Sequence, residues 1–181
     1  YACGYEISCH GVDNGEISLD VEGGSLPYSF EWTADLDGDG INEFSSSSQD
    51  LNGLEPGNYE ILITDENGCC YPVDCEPYEI AIEEPDELIV TSEISEYNCG
   101  YGVSCFEALD GYIDLTITGG NDCLGYTFIW TDSSGMVIGT DQNLENVGAG
   151  LYSVLIVDSG EDGLTCEYLI EGLEITEPEE L

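Results

Sequence analysis

The chain has 181 residues, with 40 aspartates and glutamates, one histidine and neither lysine nor arginine, so its formal net charge near neutral pH is -40. Because lysine and arginine carry most phosphate recognition, this composition argues strongly against nucleic acid and anionic membrane surfaces as partners. The sequence also contains no run of about 20 apolar residues, the length that a helix needs to span a bilayer. A hydrophobic content of 41% and an aromatic content of 10% nevertheless predict a packed, folded protein.

Apolar and polar residues alternate in three stretches of the first half of the chain. These stretches are Ile17-Leu19-Val21, Tyr28-Phe30-Trp32 and Tyr59-Ile61-Ile63. A period of two indicates half-buried strands, and the glycine, proline and asparagine residues between the stretches indicate turns. No helical stripe is present, so the pattern predicts an antiparallel β-sandwich with the tryptophan in its core.

An acidic segment, Asp35–Glu43, separates the second and third stretches. It places oxygens at loop positions 1, 3, 5 and 9 and glycine at position 6, which resembles an EF-hand-type calcium loop. The predicted Ca²⁺ ligands are Asp35, Asp37, Asp39, the carbonyl of Ile41, and Glu43. Position 12 is Ser46 instead of glutamate and no flanking helices are expected, so a merely solvated acidic loop is the alternative.

The second half of the chain repeats the first. Tyr97-Asn98-Cys99-Gly100-Tyr101 matches Tyr1-Ala2-Cys3-Gly4-Tyr5 at an offset of 96 (Tyr97 against Tyr1), and the three alternating stretches recur as Ile113-Leu115-Ile117, Tyr126-Phe128-Trp130 and Tyr152-Val154-Ile156. The repeat predicts two homologous, immunoglobulin-like antiparallel β-sandwich modules, residues 1–85 (module 1) and 86–181 (module 2). Tyr59 and Tyr152 each open a strand after a glycine and are predicted to form tyrosine corners. Module 2 has an additional first-strand pattern at Ile89–Ile94, whereas module 1 begins at Tyr1 without its equivalent, so we expect the chain to be a window of a longer tandem array.

Several motifs of module 1 together resemble one known repeat. They are Cys9-x-Gly11, Asn14-Gly15-x-Ile17, Gly23-Gly24, Pro27-Tyr28-x-Phe30-x-Trp32, Leu51-x-x-Leu54-x-Pro56-Gly57-x-Tyr59 and Thr64-Asp65-x-Asn67-Gly68-Cys69. This combination is similar to the SprB-type repeat of very long cell-surface adhesins of gliding Bacteroidetes. The resemblance implies export by the type IX secretion system and movement along the cell surface. Module 2 departs from the pattern at Phe106-Glu107, around Cys123 and at Gly163–Cys166.

Nine cysteines in a small, acidic, β-rich chain favour an oxidising, extracellular location. A cysteine before the first strong strand and another after the Tyr59 or Tyr152 strand predict one disulfide per module, Cys9 with Cys69 or Cys70 and Cys105 with Cys166. Each would close a loop of roughly 60 residues and stabilise its module by about 4 kcal/mol. Cys99 and Cys123 are the remaining candidates in module 2, and zinc binding is a weaker alternative.

These features predict a structural tandem repeat of an extracellular, cell-surface adhesin or filament, which projects a binding region and bears load. The expected partners are neighbouring repeats and possible further copies in a filament. The alternative is a calcium-dependent module that itself binds a surface glycan or protein through the Asp35 loop. Acidic residues at the module junctions, Glu83-Glu84 with Asp86-Glu87 and Glu177 with Glu179-Glu180, are solvated linkers or sites where cations stiffen the joint. No constellation of nucleophile, base and electrophile is found, so an enzyme is not expected.

Overall fold

The computed structural model describes residues 4–98, 100–121, 124–159 and 164–181. It divides into two compact units, module 1 (Tyr1–Pro85) and module 2 (Asp86–Leu181), each with its own hydrophobic core. All strand pairings are antiparallel, which confirms the predicted all-β architecture. Within the described ranges, no helix has the length and apolar character needed to cross a membrane.

Module 1 is built from short strands. They are β1 (Gly15–Ile17), β2 (Ser29–Ala34), β3 (Phe44–Ser46), β4 (Leu51–Leu54), β5 (Gly57–Thr64), β6 (Cys70–Tyr71) and β7 (Tyr78–Ile82). One sheet consists of β1 and β4, and the other has the order β3-β2-β5-β6, with β7 also paired to β5. The core lies between these two sheets and includes residues from both.

Module 2 has longer strands. They are β8 (Asp86–Ile94), β9 (Gly111–Gly120), β10 (Tyr126–Asp132), β11 (Val137–Gly139), β12 (Leu144–Val147), β13 (Gly150–Ser159) and β14 (Thr165–Ile175). They form a three-stranded sheet, β12-β9-β8, and a four-stranded sheet, β11-β10-β13-β14. Both sheets contribute side chains to one core, so the module is an immunoglobulin-like sandwich.

A tryptophan lies at the centre of each core, as the alternation predicts. Trp32 and Trp130 have no solvent exposure. The indole N–H of Trp32 donates to the carbonyl of Ser48 at 2.9 Å, and that of Trp130 donates to the carbonyl of Asp141 at 2.9 Å. Each buried indole therefore keeps its one polar group satisfied, which makes complete burial of a large ring favourable.

Each module also has the predicted tyrosine corner. The hydroxyl of Tyr59 donates to the carbonyl of Glu55 at 3.0 Å, and the hydroxyl of Tyr152 donates to the carbonyl of Gly148 at 2.9 Å. In both cases the acceptor is four residues upstream, across the turn that enters β5 or β13. Burial is the main cause that raises the pKa of both phenols, so each hydroxyl remains protonated and available as a donor.

Candidate functional site

The acidic loop Asp35–Glu43 connects β2 to β3 at one end of module 1. In module 2 the corresponding connection between β10 and β11 consists only of residues 133–136. The additional residues of module 1 therefore form a longer hairpin connection, from which Leu36 packs against the hydrophobic core. Asp35 is partly buried at the base of the loop, whereas Asp37, Asp39 and Glu43 are exposed.

Backbone N–H groups hold the loop in a compact conformation. The carboxylate of Asp35 accepts from the N–H of Gly38 at 2.8 Å and from that of Gly40 at 2.7 Å. Glu43, at the far end of the loop, accepts from the N–H of Leu36 at 2.8 Å. These bonds fold the loop back on itself, so acids that are distant in sequence become neighbours.

Two further carboxylates each close a short turn. Asp37 accepts from the N–H of Asp39 at 3.0 Å, and Asp39 accepts from the N–H of Ile41 at 2.8 Å. Both are side chain-to-backbone bonds across two residues, which stabilise turns formed by aspartate. The side chain of Ile41 points to solvent and is 66% exposed, and ligation by its carbonyl remains a prediction.

The four predicted carboxylate ligands converge. One oxygen from each of Asp35, Asp37, Asp39 and Glu43 lies within 4.8 Å of the others. Ca²⁺–oxygen distances are about 2.3–2.6 Å, so two ligands on opposite sides of one ion are separated by about 4.6–5.2 Å. The donor set, all hard oxygens in a span that one ion could bridge, therefore fits Ca²⁺.

Ser46, at position 12 of the calcium-loop pattern, does not join this cluster. It lies in β3, and its hydroxyl accepts from the N–H of Ser48 at 3.2 Å. The loop therefore does not follow the EF-hand beyond its ninth position, where Glu43 provides the last acid. The β-hairpin requires this difference, because residues after Glu43 must pair with β2 and cannot turn back to an ion.

The cysteines form a different pattern from the predicted one. Cys70 is bonded to Cys75, with a Cα–Cα distance of 5.5 Å, and Cys69 is a free, exposed thiol, so neither can pair with Cys9. Pairing of Cys105 with Cys166 is also wrong, because Cys105 is free and exposed. Cys9 and Cys166 are each disulfide-bonded. Cys99 and Cys123 lie outside the described residues.

Local turn geometry explains why Cys70 pairs with Cys75 in module 1. The N–H of Cys75 donates to the carbonyl of Pro72 at 2.8 Å, and this turn brings Cys75 next to Cys70 in β6. Cys69 has another role, because its N–H donates to Asp65 at 2.8 Å. A nearby partner in a tight turn is reached more readily than one about 60 residues away, since loop closure costs more entropy as the loop lengthens.

Asp65 holds the end of β5 through several backbone contacts. Besides the N–H of Cys69, its carboxylate accepts from the N–H of Asn67 at 2.9 Å and of Ser25 at 3.0 Å. The bond from Cys69 is the largest cause that lowers the pKa of Asp65. The carboxylate therefore stays ionised, and these backbone N–H groups serve as the hydrogen-bond donors that lysine or arginine side chains would otherwise provide.

Acids at the end of each module hold a loop of the same module, a contact that the sequence pattern did not reveal. Glu84 accepts from the N–H of Gly11 at 2.6 Å, and Glu177 accepts from the N–H of Glu107 at 2.9 Å. His10 lies 3.4 Å from the other carboxylate oxygen of Glu84. In the sequence, the equivalence of these two glutamates is indicated only by the matching Glu-Pro pairs, Glu84-Pro85 and Glu177-Pro178.

One family model matches part of each module. The family model of the SprB repeat matches residues 6–36 and residues 103–135. This confirms the resemblance seen in the sequence motifs and extends it to module 2, in spite of the departures noted there. Comparison with curated proteins gives no significant match.

Several solved structures are similar to this chain at low identity. The three N-terminal domains of the bacteriophage RB49 Highly Immunogenic Outer Capsid protein (Hoc) are 19% identical, with 88% of this chain covered and a TM-score of 0.43. The chain spans 54% of the length of that structure. The amphioxus IgVJ-C2 molecule is 13% identical (90% of this chain, 98% of that one, TM-score 0.33), and domains 3 and 4 of rat CD4 are 10% identical (88% and 94%, TM-score 0.26).

Proposed function

We propose that this chain, which carries two SprB repeats, is a non-catalytic structural segment of an extracellular, cell-surface adhesin. The observation that carries the proposal is the occurrence of one family match in each of two consecutive sandwiches. Neighbouring repeats of the same polypeptide are its expected partners. Repeated modules of this kind place a binding region at a distance from the cell, because length increases with the number of copies.

A load-bearing role is supported by the way each sandwich is held together. The chain has no lysine or arginine, so its cohesion depends on buried apolar residues, backbone pairing and disulfides. Disulfides also support an oxidising, extracellular location. Gliding motility and type IX secretion are the finer parts of the proposal, and they come from the resemblance to SprB-type adhesins.

Imaging of linked copies tests the structural role. Negative-stain electron microscopy of chains joined head to tail in two, four and eight copies is expected to show threads whose contour length rises in proportion to copy number. The single chain serves as the length standard. Compact particles whose longest dimension does not follow copy number would contradict the proposal.

We further propose that the Asp35 loop binds Ca²⁺ through Asp35, Asp37, Asp39 and Glu43, with the Ile41 carbonyl as an additional ligand. The support is the convergence of four carboxylate oxygens within 4.8 Å in a chain without lysine or arginine. A divalent ion would offset the repulsion among these acids and join the two ends of the loop. Its role in this proposal is to stiffen the β2–β3 hairpin of module 1.

Removal of calcium is expected to destabilise the protein. Calcium at 100 times its dissociation constant would raise the free energy of unfolding by about 2.7 kcal/mol, and EDTA would remove this gain. Thermal unfolding followed by circular dichroism, with Ca²⁺ and with EDTA, measures the difference. Asp37→Asn combined with Asp39→Asn should abolish the calcium response, whereas Glu16→Gln, at an exposed acid elsewhere in module 1, should retain it.

The same variants distinguish the loop from a general counterion effect. An equal response to Ca²⁺ in the Asp37/Asp39 variant and in the Glu16 variant would rule out a specific site at the loop. Calcium-dependent retention of the chain on a glycan array, lost in the Asp37/Asp39 variant, would instead favour the alternative function of ligand binding.

A further inference from the structure

The first strand of module 2 covers one side of its core. β8 runs antiparallel to β9, with Val90 opposite Ile117 and Ser92 opposite Leu115. Leu88, Val90 and Ile94 pack against the buried core cluster of this module. β9 thus has a neighbour on both edges, β12 on one side and β8 on the other.

Module 1 has the residues of this central strand but not the pairing. At the offset of 96, Ile113, Leu115 and Ile117 of β9 correspond to Ile17, Leu19 and Val21. However, β1 ends at Ile17, and residues 18–22 belong to no strand. In the described part of module 1, β4 is the only strand paired with β1.

One edge of this unpaired segment is already satisfied as it is in module 2. The N–H of Leu19 donates to the side chain of Asp50 at 2.9 Å, just as the N–H of Leu115 donates to the side chain of Asn143 at 3.0 Å. Because N–H groups alternate in direction along a strand, those of Ser18 and Asp20 face the opposite edge. That edge corresponds to the one that β8 occupies in module 2.

An apolar groove lies beside this open edge. It has a volume of about 420 Å³, and its apolar lining comes from the unpaired segment and from β5, β6 and β7: Leu19, Val21, Ile61, Ile63, Tyr71, Tyr78 and Ile80. Asp20 and Glu22 also border it. The groove therefore lies between the unpaired segment and the sheet that contains β5, β6 and β7, at the position that corresponds to Leu88 and Val90 in module 2.

Residues beside the groove are more exposed in module 1 than their equivalents in module 2, as expected if module 1 lacks a strand in the position of β8. Leu115 is buried in module 2, whereas Leu19 is partly exposed. Asp158 at the end of β13 is buried, whereas the equivalent Asp65 is partly exposed. A methyl group added at Gly119 would overlap the carbonyl of Glu87, whereas one added at the equivalent Gly23 would meet nothing within 4 Å.

We propose that this groove of module 1 is a docking site for an extended β-strand with the chemistry of Asp86–Ile94, joined to the start of module 1 as β8 is joined to module 2. The strand would pair antiparallel with residues 17–24 and insert two apolar side chains between the sheets. A covalently linked strand fits better than a second copy, because two chains of charge -40 repel each other and linkage raises the effective concentration of the strand. This inference concerns assembly of the fold and holds whether or not the protein is an adhesin.

Grafting the strand tests the inference. Residues 86–96 are fused directly ahead of Tyr1, which reproduces the connection that leads from β8 to Tyr97. Amide hydrogen exchange at Ser18, Asp20 and Glu22 is expected to slow by roughly 100-fold as these groups enter a sheet. The matched control carries Leu88→Ser and Val90→Ser in the grafted copy only, and it should leave exchange at these positions unchanged.

A glycine substitution gives a second readout that does not depend on exchange. Gly23→Ala is expected to lower the melting temperature of the grafted chain by several degrees more than that of the ungrafted chain, because the added strand would bring a carbonyl against the new methyl group. Equal protection by the graft and its serine control, or equal cost of Gly23→Ala with and without the graft, would overturn the proposal. A concentration-dependent dimer of the ungrafted chain with protection at Ser18–Glu22 would assign the groove to a second copy and overturn the covalent assignment.

Discussion

Trp130→Ala is expected to lower the free energy of unfolding of module 2 by about 3–5 kcal/mol. The side chain is fully buried, lies opposite Val154 of β13, and belongs to a core cluster contributed by both sheets. Its removal leaves a cavity among these residues and deprives the carbonyl of Asp141 of its 2.9 Å donor. An equally large effect is expected for Trp32→Ala in module 1.

Urea unfolding followed by far-UV circular dichroism measures this loss. Met136→Ala, at a position of the same module with 62% exposure, is the control and should change the unfolding free energy by less than about 0.5 kcal/mol. Hydrogen exchange in β13 compared with that in β5 of module 1 shows whether the effect is confined to module 2. If Trp130→Ala and Met136→Ala unfold at the same urea concentration, Trp130 is not the centre of the core.

Gly119→Ala is expected to destabilise module 2 by about 2–4 kcal/mol. Gly119 has a φ of 82°, in the left-handed region that L-residues with side chains seldom adopt. A methyl group at this position would also overlap the carbonyl of Glu87 in β8, and backbone cannot move aside as a flexible side chain can. The substitution therefore combines local strain with displacement of a paired strand.

Two glycines separate these contributions. Gly125 has a φ of 74° and Gly23 has a φ of 90°, and a methyl group at either would meet nothing within 4 Å. Gly125→Ala and Gly23→Ala should therefore cost only the backbone term, about 1–2 kcal/mol. Thermal unfolding of the three variants measures the excess at Gly119. A cost at Gly119 no greater than at Gly125 would show that β8 yields without loss of packing.

Local alternation was sufficient to predict the strands that carry the cores. Tyr28-Phe30-Trp32 lies across the start of β2, and Tyr126-Phe128-Trp130 lies in β10. The tryptophans are buried and both tyrosine corners form, because the side-chain period of a strand records directly which face meets the core. The Asp35 cluster was also predictable, since its acids are close in sequence and a glycine-containing turn brings them together.

The disulfides were not predictable from repeated positions. Cys69 and Cys105 match the expected pattern and are nevertheless free, while Cys70 pairs with Cys75. Disulfide formation depends on a Cα–Cα distance of about 4.4–6.8 Å, and here the turn after Pro72 sets that distance. A repeat records which residues are equivalent in sequence, but it does not record which two sulfurs meet in space.

The central strands show most clearly which features follow from the sequence pattern and which depend on the tertiary structure. Ile17-Leu19-Val21 and Ile113-Leu115-Ile117 have the same alternation, and both predict a strand from their own residues. In the folded protein the first pairs only as far as Ile17, whereas the second forms the ten-residue strand β9. The alternation of apolar and polar residues determines which side chains face inward, but the backbone hydrogen bonds of a strand are made to a neighbouring strand. Its length therefore depends on whether a neighbour such as β8 lies beside it.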